Sequence, residues 1–179
     1  MDIVFSAIID GCFAAVAGLG FAFACNPPIK TLFLSALLAA IAHGGRFYLL
    51  QFDVFGLASA TFISAFTIGL IGLIFAKKVR CPMEIITFPA LLPMIPGMYA
   101  YRTILSITSF ASENDLEKQY KLLIEITNNL MTTISVAFAI AVGISITLLI
   151  FHEQSLMMTR KGFQLEEYLK NKEAFNNIK

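Results

Sequence analysis

Long apolar runs alternate with short polar breaks along the whole chain. Five runs approach or exceed the ~20 residues that a helix needs to cross a hydrocarbon layer: Ile3–Cys25, Ile29–Leu50, Gly56–Ala76, residues 82–109 and Ile126–Phe151. Asn26-Pro27-Pro28 closes the first run, because neither proline can continue a helix. Before the last run, Ser112 and Asp115 have the spacing of a capping box. They predict a short amphipathic helix with Leu116, Tyr120 and Leu123 on one side. Beyond Phe151 the pattern turns polar, and residues 152–179 read as a soluble helical extension. The expected architecture is therefore all-α: a polytopic membrane domain over residues 1–151 with five transmembrane helices, followed by a polar tail.

The fourth run differs from the others. It is apolar enough for a membrane, yet proline falls at 82, 89, 93 and 96, and Gly97 follows. Each interior proline removes a backbone donor and clashes with the carbonyl one turn back, so no straight helix passes through. Freed backbone groups in hydrocarbon cost several kcal/mol each unless protein or a wet cavity satisfies them. We read the run as a discontinuous helix whose second half begins near Gly97. Its first turn would present free N–H groups and a partial positive charge, with Arg102 little more than a turn further on. That combination suits a carboxylate, and broken helices of this kind mark the binding sites of many transporters. A kinked helix packed in the protein interior accounts for the same prolines.

Composition agrees with the pattern. The 179 residues are 58% hydrophobic and only 14% charged, and the mean hydropathy of +0.77 lies far outside the range of soluble domains. There is no basic cluster with interleaved aromatics, so nucleic acid is not an expected partner. Cys12, Cys25 and Cys81 have no ligand-like spacing, which argues against a disulfide framework and a zinc site. Ala22-Phe23-Ala24 faintly resembles a signal-peptidase site. However, no Lys or Arg precedes the first run, and the run is longer than a signal core, so we read it as a retained span.

Charge sets an orientation. Lys30, Lys77, Lys78, Arg80, Arg160, Lys161, Lys170, Lys172 and Lys179 fall on one side, against Arg46, Lys118 and Lys121 on the other, with Arg102 inside a span. The positive-inside rule then puts the N-terminus outside and the tail in the cytoplasm. Small residues recur at four-residue spacing, at Gly11/Ala15, Ala14/Gly18/Ala22, Ala65/Gly69 and Ala137/Ala141/Ser145. Such faces let helices approach closely, within this chain or against another subunit.

Few residues could carry chemistry. His43-Gly44-Gly45-Arg46 puts two ionisable side chains three residues apart on one face, in the outer half of the second span. His43 is a candidate contact for substrate. Arg46 is read as structural, snorkelling to the outer surface. Tyr99, Arg102, Ser106 and Ser109 form a polar stripe beyond the break. An arginine in a span usually faces protein or a wet cavity, so Arg102 faces the pathway or, failing that, pairs with Asp10. Asn128, Thr132 and Ser135 share a face of the last span, where helix–helix hydrogen bonding explains them adequately. There is no HExxH, no GxSxG and no pair of intramembrane acids, so no enzyme, metal site or cofactor is expected.

Three stretches in order, AIAHGGR (Ala40–Arg46), PMIPGMYAY (Pro93–Tyr101) and EITNNLMT (Glu125–Thr132), resemble the threonine/serine exporter family. The likeness extends over nearly the whole chain and is to the small subunit of split members, equivalent to the C-terminal membrane half of fused ones. It implies export of a small carboxylate metabolite, threonine and serine or a dicarboxylate such as succinate, across the cytoplasmic (inner) membrane together with a larger membrane subunit. The family-like positions are His43, Arg46, Pro93, Pro96, Gly97, Tyr101 and Asn128; Arg102 is not among them. Residue chemistry and resemblance together make Pro96, Gly97, Tyr101, Arg102, His43 and Asn128 the candidate substrate contacts. A non-transporting subunit that stabilises or regulates a partner is the alternative.

Overall fold

The computed structural model describes residues 2–151, whose regular elements are all helical, with no strand among the described residues. In chain order the elements are α1 (Asp2–Ala24), α2 (Ile29–Leu49), α3 (Leu57–Val79), α4 (Glu84–Leu91), a 3-10 turn (Leu92–Met94), α5 (Gly97–Ser112) and α6 (Leu116–Ile150). Helices α1, α2, α3 and α6 are long and apolar enough to cross a membrane. The reading of residues 152–179 as a helical extension lies outside the described residues.

Small residues decide which helices touch. α1 and α2 run antiparallel: a Cβ on Gly11 would lie 2.9 Å from the carbonyl oxygen of Ala40, and one on Gly44 would lie 2.9 Å from that of Ala7. α3 and α6 run parallel, with Gly143 against Phe62 to Phe66 and Gly69 against Thr147. Between these pairs sits the core. It is formed by Leu38, Ala39 and Ala42 of α2, Ala65, Ile68 and Leu73 of α3, and Met83, Ile86, Ala90 and Met94 around α4. The small-residue faces on α1 and α3 are thus used inside the chain, whereas Ala137, Ala141 and Ser145 of α6 remain exposed.

The end of the fold departs from the expected pattern. The amphipathic helix and the last apolar run are one element, since α6 runs unbroken for 35 residues. No proline interrupts it, and Gly143 alone is too weak a breaker in a packed helix. Its N-cap is Asp115, whose carboxylate accepts from the Glu117 N–H at 3.0 Å. Ser112 ends α5 instead of opening a helix. At about 1.5 Å per residue, α6 is about 52 Å long, well beyond a hydrocarbon layer about 30 Å thick. With Gly69 opposite Thr147, the start of α3 is level with about Ser135. The first half of α6 therefore extends past α3, and α5 packs against it and on little else. Thr103 and Ser106 are the α5 residues buried in that hairpin.

Candidate functional site

Gly11 and Gly44 bring the α1 and α2 backbones together, and their chain neighbours Asp10 and His43 meet as a result. The His43 Nδ1 lies 2.5 Å from the Asp10 carboxylate, and both side chains are partly buried. On the other edge of the ring, Arg46 donates to His43 Nε2 at 2.7 Å. A guanidinium has donors only, so Nε2 must accept. This leaves the imidazole proton on Nδ1, where it is donated to Asp10. The three side chains thus form one directed chain, from Arg46 through His43 to Asp10.

Arg46 also reaches the proline-rich segment, donating to the Met94 carbonyl at 3.1 Å. The reason lies in the local backbone. After the 3-10 turn, Ile95 is extended (φ −62°, ψ 132°), and Pro96 adopts φ −79° and ψ 56°, the geometry of an inverse γ-turn. A helix continuing past Met94 would cap its carbonyl with a later N–H; here the chain turns away and Arg46 supplies the donor. Gly97 N–H closes the γ-turn onto Ile95 at 2.8 Å, and Ala100 N–H bonds Pro96 at 3.2 Å. The Gly97 donor expected to be free is therefore taken. Met98 and Tyr99 hold the next first-turn positions of α5, and the carbonyls four residues before them, Met94 and Ile95, accept from Arg46 and Gly97 instead.

No carboxylate among the described residues contacts Arg46. Asp10 lies close enough to act on it electrostatically without touching it. A permanent cation is thus held in place by a carbonyl and a neutral ring, with more N–H donors than those two contacts use. That arrangement can accept a carboxylate from outside the chain without first breaking an ion pair.

The sequence-derived candidates are only partly gathered here. His43 lies in the chain, and Pro96 and Gly97 form the turn beside it. Arg102 does not pair with Asp10, which His43 occupies; it is exposed on α5 and has no partner among the described residues. Tyr101 is exposed as well. Asn128 is exposed while its neighbour Asn129 is buried, and the Asn128 carbonyl accepts from the Thr132 hydroxyl at 2.8 Å. Of the stripe Tyr99, Arg102, Ser106 and Ser109, only Ser106 is buried. Arg46, read as structural, is tethered to the Met94 carbonyl, and Asp10, weighed as a partner for Arg102, contacts His43 instead. The signal for the latter was the matching Asp-Gly and His-Gly pairs on adjacent spans. Among the described residues, no group of His, Cys, Asp and Glu could hold a metal ion.

The family model for threonine/serine exporter, ThrE, matches residues 10–150, from Asp10 to the last residue of α6. No solved structure matches the chain.

Proposed function

The chain belongs to the threonine/serine exporter family, and on that premise we propose that it forms one half of a secondary exporter for small carboxylate metabolites. The observation that carries this reading is Arg46: a fixed cation beside a helix break, with no carboxylate of the described residues in contact. The substrate carboxylate binds the free edge of the guanidinium, within reach of the first turn of α5. Threonine, serine and a dicarboxylate such as succinate all carry the required group.

The path crosses the cytoplasmic membrane five times, with the N-terminus outside. Helices α3 and α6 are parallel, so the chain between them must return across the layer once. The return is made by α4, the 3-10 turn and the start of α5, a single crossing interrupted by proline. The charged first third of α6 then lies outside, with Glu117 and Lys121 paired at 2.9 Å. A larger membrane subunit supplies the other half of the pathway. The exposed small-residue face of α6 (Ala137, Ala141, Ser145) suits close packing by one of its helices.

The test is efflux of serine, threonine and succinate from cells expressing this chain and its larger partner, together and singly. Both should be required. Arg46→Gln should raise the half-saturating internal concentration ten- to hundredfold, the cost of about 1.5–3 kcal/mol for one charge-assisted hydrogen bond. Wild-type efflux kinetics in Arg46→Gln would favour a non-transporting, stabilising subunit.

A further inference from the structure

We propose that Asp10 is a positioning residue: through His43 it holds Arg46 in the orientation that receives the substrate carboxylate. The inference rests on the transport reading above, but its structural core does not depend on it. Asp10 touches His43 and not Arg46. Its hold on the orientation of Arg46 therefore passes through the imidazole, while its charge acts on Arg46 across space.

The physical argument concerns which ring nitrogen carries the proton. A neutral imidazole has one donor and one acceptor nitrogen, and the two tautomers are similar in energy unless a neighbour selects one. Asp10, an acceptor at 2.5 Å from Nδ1, selects the Nδ1–H form. Only that form leaves a lone pair on Nε2 for Arg46, 2.7 Å away. In the other tautomer an N–H would point at the guanidinium, two donors would face each other, and Arg46 would be released from His43. Its remaining tether is the Met94 carbonyl, a single bond about which the guanidinium can swing. Asp10 also places a negative charge near Arg46 without occupying it. The charge of the guanidinium is partly offset while N–H donors beyond its two contacts remain. Among the described residues, the groups facing His43 are Asp10 from α1 and Arg46 from its own helix.

Two readouts test this. The chain contains two histidines, His43 and His152, so ¹⁵N-histidine labelling with a His152→Gln control assigns the His43 ring in lipid nanodiscs. We expect an Nδ1-protonated His43 in the wild type, a shift towards the Nε2-protonated form in Asp10→Asn, and the wild-type spectrum in Asp10→Glu. Asn can donate as well as accept, so it no longer dictates the tautomer. In efflux, Asp10→Asn should raise the half-saturating internal concentration of serine, threonine or succinate about tenfold with a smaller change in maximal rate. Asp10→Glu should recover most of that loss. An Nε2-protonated His43 in the wild type overturns the proposal, as does an unchanged ring spectrum or unchanged half-saturation in Asp10→Asn. If Asp10→Asn does not accumulate in the membrane, the wild-type spectrum decides. If the wild type exports none of the three compounds, the transport reading falls and the ring spectra still decide what Asp10 does.

Discussion

Two arginines compete for the same role, and their surroundings separate them. Arg46 is anchored at both ends of its guanidinium, to His43 Nε2 and to the Met94 carbonyl. Arg102 is exposed on the α5–α6 hairpin with no partner among the described residues. An anchored cation has already lost its rotamer entropy and gives a carboxylate a fixed target, while a free one must be ordered on binding. An exposed, unanchored cation such as Arg102 is suited to steering carboxylates rather than holding them. In proteoliposomes, Arg102→Gln should raise the half-saturating concentration only about twofold to threefold, and raising the salt on the side from which substrate is supplied should abolish the difference, since screened charges steer weakly. A larger, salt-independent effect would move the binding site onto α5.

At the level of the elements, glycines without steric neighbours separate from glycines that carry the packing. A Cβ on Gly44 would lie 2.9 Å from the Ala7 carbonyl oxygen, a backbone atom that cannot swing away, whereas a Cβ on Gly45 or Gly97 meets nothing within 4 Å. Gly44→Ala must push α1 from α2, at an overpacking cost of about 1–3 kcal/mol, and it also stretches the Asp10–His43 contact. We expect a lower apparent melting temperature and impaired efflux in Gly44→Ala. Gly45→Ala and Gly97→Ala should melt with the wild type in the same detergent. Equal melting of Gly44→Ala would mean that the two helices are not closely packed in the membrane.

Topology belongs to the whole molecule. On the proposed topology one crossing separates the parallel helices α3 and α6, and Lys and Arg collect at the proposed cytoplasmic ends. An alkaline phosphatase fusion after Glu117 should be active, and one after Gly162 inactive. The reverse pattern would invert the site and place Arg46 at the inner surface.

The helices, their apolar character and their approximate ends follow from sequence alone, because both the length of an apolar run and a Pro-Pro stop act locally. The turn at Pro96 is legible for the same reason: proline and glycine limit the backbone whatever surrounds them. His43 stood out because an ionisable group in an apolar run has few innocent explanations. Tertiary structure alone decided three things. It joined the amphipathic stretch to the last apolar run, since the polar residues before Ile126 read as a separate short helix in sequence but only decorate the first turns of a continuous one. It chose His43 over Arg102 as the partner of Asp10, because register between α1 and α2 is set by where Gly11 and Gly44 meet opposing carbonyls. And it turned Arg46 from a surface anchor into a tethered cation, because the carbonyl that holds it lies 48 residues away on the chain and comes within reach only when α2 packs against the broken segment.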